Sequence, residues 1–247
     1  THLYLQNNNI ESIGSTLTKL VALEKLYLDN NCIKVIEGLD KLTNLEELYI
    51  SNQRIPEGEH MTIEPNSMIG VKSSLQVFCA GGNRIEDISP LSYCRNLVKV
   101  SLQKNDVADI TSVISLVKAN ESLFELDMNA NPITKLGRNY REPIIVQSHG
   151  TLHVLDNMEI SENERIFLVN LDQQRQKHHH AQHQMQIQQQ NSGSNTTGHV
   201  VTLPPINMTS GPSSSISAAN TARQQSSSSA PQSRASSAKG RKSTTLF

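Results

Sequence analysis

Leucines recur through the first half of this chain in the order L-x-x-L-x-L-x-x-N-x-I, and no other feature restricts its fold so tightly. Leu23, Leu26, Leu28, Asn31 and Ile33 make a complete copy, preceded by a truncated one at Leu3, Leu5, Asn8 and Ile10. Further copies are Leu45, Leu48, Ile50, Gln53, Ile55; Leu75, Phe78, Ala80, Asn83, Ile85; Leu97, Val100, Leu102, Asn105, Val107; and Leu123, Leu126, Met128, Asn131, Ile133. The polar position falls at 8, 31, 53, 83, 105 and 131, so successive units are 23, 22, 30, 22 and 26 residues long. A unit that short cannot bury its own apolar residues, so the copies must stack around a shared core. Each contributes one short strand whose alternate residues point inward, while the Asn at the strand's end satisfies backbone groups of the turn it enters.

After the Asn-x-I, a second apolar series follows at spacings of three, as in Ile36, Leu39, Leu42 and Ile88, Leu91, Cys94, which suits a short helix or 3-10 turn. This is the form of a leucine-rich repeat. The expected fold is an α/β leucine-rich repeat solenoid. It has a curved parallel sheet on the concave face, six repeat strands plus one from a cap, and short helices or 3-10 turns on the convex face. Residues 1–135 are assigned to the repeats, 136–177 to a C-terminal cap and helix, and 178–247 to a disordered Gln/Ser-rich tail. An open stack exposes its apolar cross-section, and Tyr140-Arg141, Ile144, Ile145, Leu152, Leu155, Asp156 and Glu164-Arg165 supply the closure. Ser161 followed by Glu164 reads as a capping box opening a helix over 161–177. The chain opens inside a repeat, at Thr1-His2-Leu3. It reads as a fragment missing its N-terminus, and residues 1–22 are expected to fray. The insert Pro56 to Lys72, which lengthens the third repeat, is expected on the convex side or rim, either as a tolerated loop excursion or as a second binding feature.

Charge divides the chain in two. Up to Asp172, 15 basic residues face all 23 acidic ones, a net of −8, whereas the remainder carries 7 basic residues and no acid. That second part has too little apolar content to offset its ordering entropy. Its His178, His179, His180 and His183 lack a neighbouring Cys or carboxylate, so they are assigned to a solvated tract and no metal is expected. No stretch approaches the roughly 20 apolar residues that cross a bilayer, so no membrane insertion is expected. Cys32, Cys79 and Cys94 are odd in number without C-x-x-C spacing, which argues against a disulfide framework or zinc site.

No nucleophile elbow, H-E-x-x-H, P-loop or G-x-G-x-x-G motif is present, and Ala80-Gly81-Gly82-Asn83 falls on a repeat turn, where small residues allow close stacking. The chain is read as non-enzymatic, without a cofactor. What remains is the ladder of outward residues on the strands. Tyr4, Tyr27 and Tyr49 hold the same position in three consecutive units, an aromatic column of the kind enriched at binding hot spots. Adjacent rings packing on one another as a surface ladder is the alternative reading of the same column. With Lys25, Asp29, Glu47, Ser51, Lys99, Glu125 and Asp127, these tyrosines form the candidate partner-binding surface. In the tail, Ser236 and Ser243 follow basic residues and suit basophilic kinases, and Thr245-Leu246-Phe247 has the pattern of a PDZ ligand. An acidic array argues against nucleic acid.

A closer resemblance rests on Thr1-His2-Leu3-Tyr4-Leu5-Gln6-Asn7-Asn8, on Asn52-Gln53-Arg54-Ile55-Pro56 with Gly58-Glu59 and Pro65, and on Glu164-Arg165 followed by Phe167-Leu168. With these residues the chain, to about residue 172, resembles the Sds22-like leucine-rich repeat family, and within it the regulatory subunits of protein phosphatase 1. The resemblance implies a subunit that binds the phosphatase catalytic subunit. It further implies association with tubulin, kinesin or dynein complexes, in the cytoplasm at the cytoskeleton and the microtubule organising centre or centrosome. One departure stands out: Arg165-Ile166-Phe167 places its Phe one residue too early for the short docking motif of phosphatase-1 partners. A ciliary, axonemal or centrosomal adaptor without phosphatase binding is the alternative.

Overall fold

The computed structural model of the chain describes residues 1–193. Its repeats each contribute one three-residue strand: β1 (His2–Tyr4), β2 (Lys25–Tyr27), β4 (Glu47–Tyr49), β6 (Val77–Cys79), β7 (Lys99–Ser101) and β8 (Glu125–Asp127). All six pair in parallel and in register, so that Leu3, Leu26, Leu48, Phe78, Val100 and Leu126 stand side by side. That row is the spine of the core. Leu26, Leu48, Phe78, Val100 and Leu126 are fully buried, whereas Leu3, on the edge strand, is only partly covered. The leucine-rich repeat solenoid expected from the periodicity is the fold observed. The cap adds β9 (Val154–Leu155), parallel to β8, and then β10 (Met158–Glu159), which turns back antiparallel as an eighth strand that the repeat pattern does not contain.

The predicted Asn role is realised as a continuous ladder of buried amides. Asn31 Nδ2 donates to the carbonyls of Leu5 (2.9 Å) and Leu28 (2.8 Å), while its Oδ1 accepts from Ile10 N (3.1 Å). Asn83, Asn105 and Asn131 repeat the arrangement. Gln53 fills the same place with a longer arm, donating to Leu28 O (2.9 Å) and accepting from Ile33 N (3.0 Å). Every rung therefore ties the carbonyl end of one strand to that of the unit before it.

The convex side differs from a plain series of turns. 3-10 turns lie at Gly14–Leu17, Ser89–Tyr93 and Pro132–Leu136, and helices at α1 (Pro65–Gly70), α2 (Ile110–Ala119) and α3 (Arg138–Gln147). Two short strands, β3 (Val35–Ile36) and β5 (Thr62–Ile63), form a second parallel sheet. The insert at 56–72 is thus not a loop excursion. It supplies β5 and α1 and buries Met61, Ile63, Met68 and Val71 in the common core, while Pro56–His60 and the outward residues of the strand and helix, Thr62, Pro65, Asn66 and Ile69, stay at the surface. Close approach depends on glycine here: a Cβ on Gly38 (φ +70°) would overlap the Gly14 carbonyl.

The cap closes as its residues predicted. Tyr140 donates to Asp156 Oδ1 (3.2 Å), which also accepts from Met128 N (2.7 Å), and Arg141 pairs with Glu164 through Nε (3.0 Å) and Nη2 (3.2 Å). Ser161 Oγ accepts from Glu164 N (3.1 Å) at the start of α4 (Glu162–Gly193). That helix was expected to end at 177, with disorder from 178; instead it continues unbroken to Gly193. The reason is propensity. Gln, Ala, Met, Lys and Arg lose little on entering a helix, and no Pro or Gly interrupts the run before Gly193. Packing does not hold this part, since every residue from 173 to 187 is exposed. The expected tail beyond 193, with Ser236, Ser243 and Thr245-Leu246-Phe247, lies outside the described residues.

Candidate binding surface on the concave face

Register dictates the main feature of this face. Parallel strands lie about 4.8 Å apart, and Tyr4, Tyr27 and Tyr49 are direct partners in the ladder. Their rings consequently stack, with centroids 4.7 Å apart in both pairs and interplanar angles of 11° and 4°. Tyr4 is 60% exposed and the other two are half-buried, so the column presents one continuous aromatic edge. The rings do pack on each other as a cross-strand ladder, and in doing so they make a pre-ordered apolar surface.

Charges beside the column are already paired. Glu47 joins two neighbours at once, accepting from Lys25 Nζ (2.6 Å) through Oε1 and from the Tyr49 hydroxyl (3.0 Å) through Oε2. Burial, then this carboxylate, hold the Tyr49 hydroxyl well above its ordinary range, and the Lys25–Glu47 hydrogen bond raises the Lys25 ammonium. Tyr49 therefore stays neutral and donates. Lys99 and Glu125 form a second cross-strand pair at 2.8 Å, which raises the Lys99 ammonium. Asp29 accepts from Ser51 N (2.7 Å), and Ser51 Oγ accepts from Gly81 N (3.2 Å), so both tie adjacent strands together.

Past the column the surface falls away. Cys79 follows Tyr49 in register, its thiol pushed up to about 11 by burial, which leaves it protonated at neutral pH and a poor nucleophile. Gly81 has no side chain, and Gln103 occupies the space a Cβ would need. Ala80 is fully buried, so this segment is a packing device, as the small residues suggested.

Asp127 is not presented with the rest of the candidate surface. It is only 8% exposed, and its carboxylate accepts from Asn129 N (3.0 Å), Asn129 Nδ2 (2.9 Å) and Asn157 Nδ2 (3.4 Å). The cap strand covers the last repeat and turns its outward residue into an internal acceptor. The wall of a cavity of about 360 Å³ between α3, β10 and α4 holds the Tyr140–Asp156 and Arg141–Glu164 contacts. Burial raises the Asp156 carboxyl above the usual range, because taking it from water disfavours the charged form.

One exposed feature escaped sequence reasoning. The residue immediately before each strand lies on the rim, and in the last units these are Val98 (38% exposed), Phe124 (47%) and His153. Backbone bonds bring them into line, Phe124 N to Val98 O (2.8 Å) and His153 N to Phe124 O (2.9 Å), and the Phe124 and His153 rings stack at 4.8 Å. The signal was present in the register, one place ahead of the ladder, where Glu24, Glu46 and Gln76 stand in earlier units.

Among the described residues no helix is long and apolar enough to cross a membrane, and no three His, Cys, Asp or Glu side chains gather as a metal centre. Residues 1–55 match the family model described as Leucine rich repeat. Among solved structures, the chain is similar to an internalin from Listeria monocytogenes, at 24% identity over 68% of this chain and 45% of that one, with a TM-score of 0.49. It is also similar to a chain of the SNF/U2A' complex of Drosophila melanogaster, at 18% identity over 67% of this chain and 78% of that one (TM-score 0.40). An internalin C2 from Listeria monocytogenes matches at 18% over 63% and 78% (TM-score 0.34). The match spans less than half the length of the first of these.

Proposed function

We propose that this leucine-rich repeat scaffold is a non-enzymatic regulatory subunit that holds the catalytic subunit of protein phosphatase 1 against its concave face. The observation that carries the reading is the Tyr4–Tyr27–Tyr49 stack, pre-ordered by the register and exposed along one edge. Three rings locked side by side offer large apolar contact at small further cost in entropy. The adjoining Lys25–Glu47 and Lys99–Glu125 pairs, neutral overall, set orientation more than affinity. The choice of partner rests on the resemblance to the testis leucine-rich repeat protein, a regulatory subunit of that phosphatase. Its Gln53 with the insert at the same place is more specific than leucine spacing. The same resemblance supports association with tubulin, kinesin or dynein complexes and a place in the cytoplasm at the cytoskeleton and centrosome. Because Ile166 and Phe167 lie within α4 and not in an extended segment, docking is assigned to the repeats.

Affinity purification of the whole chain, with immunoblotting for the phosphatase catalytic subunit, tests the reading. Truncating a buried anchor costs on the order of 2 kcal/mol or more, so Tyr27→Ala with Tyr49→Ala should lower capture by more than about tenfold. Deleting the insert is uninformative, since it supplies core residues; Glu57→Ala with Glu59→Ala probes its exposed part and should change little. Recovery of tubulin or dynein components without phosphatase would instead favour a ciliary, axonemal or centrosomal adaptor.

A further inference from the structure

We propose that α4 carries a two-histidine site for a divalent transition-metal ion, formed by His179 and His183, that reinforces the exposed half of that helix. The proposal is independent of the phosphatase reading. In an unstructured tract these residues have no fixed relation, but α4 runs unbroken through them. Residues four apart on a helix lie on one face with Cβ atoms about 5–6 Å apart, the spacing at which two imidazoles of an H-x-x-x-H pair grip one metal ion. At about 100° per residue, His183 sits roughly 40° from His179 and 60° from His180, whereas His178 is about 140° away, on the far side.

The hydrogen bonding distinguishes the two possible partners. His180 Nε2 lies 2.8 Å from Gln184 Nε2, which can only donate, so that ring nitrogen is engaged as an acceptor. Among the described residues no hydrogen bond engages His179 or His183 in the same way. Among the described residues, the cation on this face, Arg175, is one turn before His179 and is held by Glu142 at 3.3 Å. Three other histidines are committed elsewhere: His149 Nε2 to Lys118 O (3.0 Å), His153 Nδ1 to Thr151 O (2.7 Å), and His60 Nδ1 near Arg84 O (3.3 Å) and Glu86 (3.2 Å).

Neutral imidazole suits Zn²⁺, Ni²⁺ and Cu²⁺, with Cu²⁺ held most tightly in the general order of divalent affinities. Two protein ligands leave the remaining positions to water, so the site is open and exchangeable, unlike a closed structural zinc centre. Its consequence is local. An ion that bridges one helical turn binds the helical form and not the random chain, and any ligand with that preference shifts the equilibrium toward helix. The stretch it would reinforce lacks tertiary packing.

The test is titration of the whole chain, with its thiols kept reduced, with ZnCl₂, NiCl₂ and CuCl₂ by calorimetry, alongside far-ultraviolet circular dichroism. One equivalent should bind and the helical signal should rise with it. Loss of even an outer-shell partner costs a metal site about 10–100-fold. His183→Ala or His179→Ala, which removes a ligand itself, should therefore lower affinity by at least about tenfold and abolish the helical gain. His178→Ala should do neither, and His180→Ala should leave the affinity unchanged. Metal binding that persists in His183→Ala, an equal loss in His178→Ala, or no binding by any of the three ions would overturn the proposal.

Discussion

Replacing Asn105 by Leu tests the amide ladder at its centre, and the structure fixes what is lost. Asn105 is 3% exposed and makes four hydrogen bonds: Nδ2 donates to Ala80 O (3.0 Å) and Leu102 O (2.8 Å), and Oδ1 accepts from Asn83 N (3.0 Å) and Ile85 N (2.9 Å). The two carbonyls keep a second donor, since Asn83 Nδ2 also reaches Ala80 O (3.1 Å) and Asn131 Nδ2 reaches Leu102 O (2.8 Å). The two N–H groups keep none among the described contacts. An orphaned buried donor costs about 1–3 kcal/mol, so Asn105→Leu should destabilise the array by about 2–6 kcal/mol. In a domain of this size each kcal/mol lowers the melting temperature by about 2–4 °C. Asn8 provides the control: its exposed side chain donates to Leu5 O and Gln6 O of its own unit (both 3.0 Å), so Asn8→Leu should cost no more than about 0.5 kcal/mol. Urea unfolding followed by circular dichroism, with the slope compared as well as the midpoint, reads both variants. Equal losses in the two, or a loss below about 1 kcal/mol at Asn105, would refute the claim that the ladder's backbone donors depend on the side chain.

Leu102→Ala removes a fully buried side chain and should cost about 2–5 kcal/mol in the same assay. Asp109 caps α2 by accepting from Thr111 N (3.0 Å) and Ser112 N (3.1 Å), so Asp109→Ala should cost about 1 kcal/mol at neutral pH. Hydrogen bonds from Thr111 hold its carboxyl below the ordinary value, so the stabilisation is present above the unfolded carboxylate range and is lost as pH falls through the folded one. Wild type and variant should therefore converge in acid denaturation. Gly38→Ala should cost more than about 1 kcal/mol, because neither the positive φ nor the Gly14 carbonyl accommodates a Cβ. Cys94, buried and with its thiol pushed up to about 12, should resist alkylation at pH 8 until the array unfolds, as peptide mapping would show.

The spine from Leu26 to Leu126, the ladder asparagines and the cap contacts of Tyr140, Arg141, Asp156 and Glu164 were legible because each obeys a spacing that stacking requires. What was missed has physical causes too. Met61, Ile63, Met68 and Val71 follow a strand and then a helix at intervals the repeat does not use, so they read as loop until β5 is seen beside β3. Asp127 has the sequence position of the tyrosine column, and only the antiparallel return of the cap, with Asn157, shows that it is covered. Phe124 and His153 meet across separate units, in a row the core periodicity does not mark. Past Lys177, composition suggested solvated coil, whereas residue-by-residue propensity favours the helix that forms.

The ladder also has a mechanical consequence. Its rungs are connected in series along the solenoid axis, so a tension applied along that axis is the same at every junction and is not divided among them. Such a spring gives way at its softest joint. Each described junction carries one such rung: Asn31 to Leu5 O, Gln53 to Leu28 O, Asn83 to Ile50 O, Asn105 to Ala80 O and Asn131 to Leu102 O. Stretching should therefore open the array one repeat at a time, in a sawtooth of small yields, and the tyrosine stack parts only when the β1–β2 or β2–β4 junction itself yields.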